Sequence, residues 1–333
     1  MGLKVGLLGG GSWGTTVASL VARNTEVTIW ARDAATVAEI NEQHSNEKYL
    51  PGARLPDRLR AVQDIEAAVA NVDVLIMGVP SQGFRAVLEQ VKPHLRAWVP
   101  VISLTKGLEL DTGMRMTEII QQVLPGHPVG VLTGPNLARE IMAGQAAAGV
   151  IAMDDEIIVR ELQAIFRSGL FRVYTNDDVI GCELGGVLKN IIAIAVGMGD
   201  GQGAGDNTRS ALITRGLAEV TRLGVAMGGR AETFAGLAGM GDMIATCTSA
   251  QSRNRHVGVE LGKGRQLDDI IEEMVMVAEG VKSAPAVISL AQKHNIEMPI
   301  ASDVHRVVVE SGSARQAFRG LLRVTPGAES EPG

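Results

Sequence analysis

The chain has 333 residues, more than one ordinary hydrophobic core supports, so two domains are expected. Hydrophobic residues make up 46% and charged residues 20%, which sets aside disordered and collagen-like classes. The net charge of -6 argues against a nucleic-acid partner, which needs a basic footprint, and an anionic substrate would then need a local cationic site. Cys182 and Cys247 show no metal-ligand spacing, so no metal is expected and both are read as buried thiols in a reducing cytosol.

In chain order, residues 4–8 form a buried-strand run that meets Gly9-Gly10-Gly11-Ser12-Trp13-Gly14 and then a helical pattern to Arg23. No secretory signal precedes this, and a cytoplasmic location is expected. Residues 26–30 make a second strand, with Asp33 as N-cap of the next helix. Further strands are expected at 72–79, 99–104, 129–132, 147–153 and 171–174, alternating with helices, which implies crossover connections and a mainly parallel sheet. After Asp178 strand signals vanish and helices are expected at 179–198, 208–227, 266–274, 283–294 and 301–310. The fold class is therefore α/β: an N-terminal Rossmann-like, mainly parallel sheet with helices on both faces, followed by an all-α C-terminal domain. The expected division is a dinucleotide-binding domain at 1–177, a helical substrate domain at 178–324 and a disordered tail at 325–333. The most apolar stretch, 187–198, contains Lys189 and is too short to span a bilayer, so no membrane span is expected.

Gly9, Gly11 and Gly14 form G-x-G-x-x-G between a first strand and a first helix, the pattern that lets a backbone approach a pyrophosphate at a helix N-terminus. The second strand ends in Arg32, which suits a ribose 2′-phosphate, and the only nearby acid, Asp33, is explained as a cap. NADP is accordingly favoured over NAD.

Lys106 follows a strand in Ser103-Leu104-Thr105-Lys106-Gly107, at the sheet's ligand-binding edge. Gly134-Pro135-Asn136-Leu137-Ala138 opens a helix whose N–H groups can face an anion or a nicotinamide amide. Gly239-Met240-Gly241-Asp242 and the donor cluster Ser252-Arg253-Asn254-Arg255, suited to phosphate, are expected in irregular segments. Lys189 stands in an apolar helical run whose one-turn neighbours, Gly185, Gly186, Ile192 and Ala193, include no carboxylate. An ammonium is costly to bury unpaired, and that isolation marks Lys189 as a candidate proton donor and acceptor.

Together with Leu188-Lys189-Asn190-Ile191-Ile192-Ala193, Asn207-Thr208-Arg209, Leu212-Ile213-Thr214-Arg215-Gly216, Thr246-Cys247-Thr248, Val277-Ala278-Glu279-Gly280 and Glu297-Met298-Pro299-Ile300, these segments run in order over nearly the whole chain. In that combination the sequence resembles the prokaryotic-type NAD(P)-dependent glycerol-3-phosphate dehydrogenases. The resemblance implies reversible reduction of dihydroxyacetone phosphate to sn-glycerol 3-phosphate for phospholipid backbones, by a homodimer. It implies Lys189 as proton acceptor, and Lys106 as a contact to both cofactor and substrate. It places Asp242, Ser252, Arg253 and Asn254 at the substrate, Gly134 and Asn136 in the loop beside it, and Asn190 and Thr246 among the lining residues. Ser12, Trp13, Arg32, Ala138, Arg253, Val277 and Glu279 correspond to cofactor contacts. Asn136 stands where Ser or Thr is frequent, and Trp13 where Tyr or Phe is frequent. The alternatives are a hydroxyacid or ketopantoate-type reductase on the same architecture, and a non-catalytic nucleotide sensor.

Overall fold

The computed structural model describes residues 2–321; the expected tail at 325–333 and the end of the helical domain lie outside the described residues. Two units are present. The first comprises residues up to Thr105 together with Met116–Val179, and the second comprises Lys106–Arg115 together with the chain from Ile180 onward. Where a contiguous domain at 1–177 is expected, the ten residues Lys106–Arg115 group with the second unit.

The first unit contains β1 (Lys4–Leu8), α1 (Ser12–Val21), β2 (Glu26–Trp30), α2 (Ala34–Glu42), β3 (Arg60–Val62), α3 (Ile65–Val69), β4 (Val74–Met77), α4 (Ser81–Val91), β5 (Val101–Ser103), α5 (Met116–Val123), β6 (Val129–Thr133), α6 (Ala138–Met142), β7 (Ala147–Met153), α7 (Glu156–Phe166) and β8 (Phe171–Asn176). All eight strands join one sheet in the order β3-β2-β1-β4-β5-β6-β7-β8. Every pairing is parallel except β6 with β7. The mainly parallel sheet expected from the sequence is therefore present, with β3 as the one strand not foreseen. Its three residues are too few to show a period.

β1 and β4 consist almost wholly of buried apolar residues, as strands covered on both faces must. Helices α1, α6 and α7 pack as one group and α3, α4 and α5 as another. Leu8 is paired with Trp30 on one side and Met77 on the other, so the strand order reverses at β1. Parallel sheets bind ligands outside the carboxyl ends of the strands at such a reversal.

In the second unit, α8 (Val179–Gly201) is followed by α9 (Asp206–Ala226), α10 (Ala231–Ala235), a π-helical turn at Leu237–Gly241, α11 (Asp242–Thr248), α12 (Arg253–Gly262), α13 (Leu267–Glu272), α14 (Glu279–Lys293), α15 (Pro299–Val309) and α16 (Ala314–Leu321). A helix that is apolar on all sides belongs in an interior, and α8 supplies Leu184, Val187, Leu188, Ile191, Ile192 and Ile194 to the core of this unit. The expectation that its apolar run is too short for a bilayer is corrected. The helix has 23 residues and is long and apolar enough by composition, but 89% of its most apolar window is buried inside the protein. It is a core helix.

Candidate active site

The fingerprint turn follows β1 directly. Gly9 has φ of +130°, and a Cβ there would lie 2.4 Å from the Gly78 carbonyl oxygen, so both the turn and the packing require glycine. A Cβ on Gly11 would meet nothing within 4 Å. Space is therefore open beside the backbone where the fingerprint brings a pyrophosphate, and the N-terminus of α1 carries no side-chain cap that would compete for its N–H groups. These features fit a dinucleotide held by Gly9, Gly11, Ser12 and Gly14. Trp13 packs edge-on against Phe171, with ring centroids 6.4 Å apart.

The turn is held from a distance by a residue that sequence patterns did not single out. Asn46 is fully buried, and its side-chain amide donates to the Gly10 carbonyl at 2.9 Å and to the Thr15 hydroxyl at 2.9 Å. An asparagine in a loop carries no periodic signal, so only the coordinates reveal the contact. Arg32 lies just past β2 with an exposed side chain. Asp33 caps α2: its carboxylate accepts from the Ala35 N–H and the Thr36 hydroxyl, and these bonds, the hydroxyl's first, hold its pKa below the usual range. That carboxylate is committed to the helix, as its expected capping role requires.

Three strands further along the same carboxyl edge of the sheet, Gly134 follows β6 with φ of +113°, a backbone state that suits glycine whatever else the loop does. Asn136 is half-buried, and Ala138 opens α6.

The second unit assembles the ionic cluster. Asp242, the first residue of α11, is buried and accepts hydrogen bonds from two ammoniums. The Lys189 Nζ donates to its Oδ1 at 2.6 Å and the Lys106 Nζ to its Oδ2 at 2.6 Å. Lys189 also donates to the Thr246 hydroxyl one turn further along α11. The expectation that Lys189 lacks a counter-ion is thus corrected. Its own helix offers none, but the carboxylate arrives from a segment 53 residues away in sequence.

With both amines protonated, the cluster carries two positive charges against one negative. Burial pushes the pKa of Lys106 down from 10.5 to about 7, with the Asp242 charge opposing that fall and the Lys189 charge adding to it. An amine poised near neutrality can bind or release a proton at physiological pH.

A glycine one turn before Lys189 explains how the carboxylate gets there. Gly185 lies one turn before Lys189 on the same face of α8, and a Cβ at this position would sit 2.6 Å from the Ala238 carbonyl oxygen. The π-helical turn that delivers Asp242 therefore rests on bare backbone. Replacing Gly185 with Ala forces that turn away and should destabilise the protein by about 1–3 kcal/mol. A shift in the urea midpoint at unchanged slope would show it, and a wild-type midpoint would rule the contact out as a constraint.

The third group is the 252–255 cluster, which is helical rather than irregular. Ser252 caps α12 by accepting from the Arg255 N–H at 3.2 Å. Arg255 is committed to Asp200, donating through Nε at 2.8 Å, so one of the four expected phosphate donors serves the fold, while the Ser252 hydroxyl, an acceptor in its cap, keeps its own proton to donate. Arg253 is exposed and its guanidinium donates to the Val277 carbonyl at 2.9 Å. Asn254 is buried; its side-chain amide donates to the Asn190 Oδ1 at 2.9 Å and its own Oδ1 accepts from the Gly280 N–H at 3.0 Å. Residues 252–254, the 277–280 segment that includes Glu279, and Asn190 beside Lys189 therefore form one connected array within the second unit.

Two family models match the chain: the N-terminal half of NAD-dependent glycerol-3-phosphate dehydrogenase over residues 4–159, and its C-terminal half over residues 178–319. Among curated proteins, glycerol-3-phosphate dehydrogenase [NAD(P)+] 2 of Sphingopyxis alaskensis is 70% identical over 100% of both chains. The corresponding protein 1 of Mycobacterium tuberculosis is 54% identical over 98% of this chain and 96% of its own length. The crystal structure of glycerol-3-phosphate dehydrogenase from Coxiella burnetii superposes with a TM-score of 0.93 at 38% identity, covering 97% of this chain and 99% of that one. A ketopantoate reductase from Ralstonia eutropha reaches a TM-score of 0.60 at 16% identity, a likeness of fold alone. The fingerprint turn, the buried lysine–aspartate cluster and full-length similarity at this level agree, and the chain belongs to the NAD(P)-dependent glycerol-3-phosphate dehydrogenases.

Proposed function

We propose that this enzyme interconverts dihydroxyacetone phosphate and sn-glycerol 3-phosphate, with NADP(H) preferred to NAD(H). The observation that carries the reading is the pair of ammoniums, Lys189 and Lys106, on the single buried carboxylate of Asp242. When bound, the dihydronicotinamide supplies hydride to the carbonyl carbon of the substrate. Lys189 stabilises the developing alkoxide and donates the proton that completes the alcohol; in the reverse direction it accepts that proton. Asp242 and Thr246 fix the Lys189 amine, and Lys106 adds a second positive centre that orients the substrate.

Arg253, with Ser252 and Asn254, is the proposed holder of the substrate phosphate, so that binding energy remote from the reacting carbon places a small ketone. Gly134 and Asn136 complete the substrate loop. Gly9, Gly11, Ser12, Trp13, Gly14, Arg32, Lys106, Ala138, Arg253, Val277 and Glu279 form the cofactor set. The enzyme is read as a cytoplasmic homodimer that supplies glycerophospholipid backbones.

Initial rates test the assignment. Dihydroxyacetone phosphate should be reduced far faster than unphosphorylated dihydroxyacetone, and faster with NADPH than with NADH. In Arg32→Ala the advantage of NADPH should fall about tenfold or more, since an exposed arginine suits a 2′-phosphate and not a 2′-hydroxyl. Equal rates on both ketones would reject the phosphate site, and an unchanged cofactor ratio in the variant would reject the role of Arg32.

A further inference from the structure

Lys106 does not belong to the sheet from which its segment emerges. Residues 106–115 fold with the helical unit as a closed excursion. Leu108 and Arg115 form an antiparallel bridge at its base. The Glu109 N–H donates to the Met114 carbonyl at 3.0 Å, and Gly113, with φ of +68°, makes the reversal at the tip. Leu108 and Arg115 both tie this hairpin to the second unit. Leu108 is fully buried in the helical core, and the Arg115 guanidinium donates to the Glu183 carboxylate at 2.9 Å, with the Glu183 side chain wholly buried. Glu183 lies on α8, six residues ahead of Lys189.

We propose that the Arg115–Glu183 ion pair is a positioning clamp: it fastens the base of the 106–115 hairpin to α8 and so holds the Lys106 amine on Asp242 beside Lys189. This deepens the reaction assigned above and rests on it for the importance of Lys106. A buried charge pair is costly to form, and its geometric value lies in specifying one arrangement. Here it spans the two elements that carry the two lysines. Packing of Leu108 is non-directional, whereas the ion pair has a defined geometry.

Asp242 from α11 and Lys189 from α8 act on the Lys106 amine, and displacement of the hairpin would weaken both contacts and admit water. The test reads the amine directly. Competitive acetylation of the substrate-free enzyme across a pH series, followed by mass spectrometry of the Lys106 peptide, gives the pH of half-reaction. In the wild type it should fall near neutrality. In Glu183→Gln it should rise by about one pH unit or more as burial is relieved, with kcat lower by about tenfold from misplacement. Arg115→Lys, which preserves the pair, should keep both close to wild type, and Arg115→Gln provides the same test should Glu183→Gln not fold. An unshifted half-point in a folded Glu183→Gln or Arg115→Gln enzyme overturns the clamp. Because labelling needs no turnover, a wild type inactive on dihydroxyacetone phosphate would instead reject the reaction while leaving the clamp standing.

Discussion

Replacing Lys189 with Met should lower kcat by at least about 10², the smaller end of what a general acid–base group contributes. Methionine keeps the length of the side chain and suits the apolar surroundings of α8, so the fold should survive. What disappears is the proton and the positive charge at the carbonyl oxygen. Cofactor affinity should stay near wild type, because the fingerprint turn lies in the other unit and Lys189 is not part of it. Fluorescence titration with NADPH separates binding from turnover. A variant that binds cofactor normally but reduces dihydroxyacetone phosphate at a near-normal rate would remove Lys189 from the chemistry and leave Lys106 as the proton source.

The features written as local patterns were legible in the sequence. A lysine and four apolar residues before a glycine turn gave β1 its bounds, and the alternation of apolar runs with helical periods gave a mainly parallel sheet. An aspartate at the start of a helical pattern gave the cap of α2. Lys189 drew attention because an ammonium in an apolar helix has to be explained. Its explanation was not legible, because ion-pair partners reach it through tertiary structure. Asp242 could be named as a candidate, but nothing in the order of residues shows that it bridges two lysines. The same limit hid Asn46 behind the glycine turn and Glu183 behind Lys106. It also hid the fold partners of two residues in the donor cluster, the cap that Ser252 makes on α12 and the ion pair of Arg255 with Asp200. Gly185 before Lys189 was visible as composition, but its function is a close approach of backbone to backbone, which sequence does not display.

The carboxylate between the lysines should matter as much for stability as for rate. Asp242→Asn keeps the shape, and its remaining oxygen can accept from one ammonium, but its NH2 group then faces the other. Removing one partner from a buried ion pair typically costs about 3–5 kcal/mol, and here the residue removed serves two. The cost should depend on pH in a definite direction. Lys106 has a folded-state pKa of about 7 against 10.5 for the ordinary group, so between these values the unfolded chain binds a proton that the folded protein sheds. Where the unfolded state binds more protons, stability rises with pH. Substrate-free wild type should therefore gain stability as pH rises from about 7 towards 10.5, and below pH 7 it bears the full penalty of the second ammonium. In Asp242→Asn that penalty loses its compensating charge, so the deficit relative to wild type should be larger at pH 6 than at pH 9, where a neutral Lys106 no longer needs the carboxylate. Chemical denaturation of both proteins at the two pH values measures it. Equal deficits would mean that Asp242 acts through packing and hydrogen bonds alone, and the fall in kcat expected for this variant, about 10², would then have to be traced to the misplaced Lys189 amine instead of lost charge.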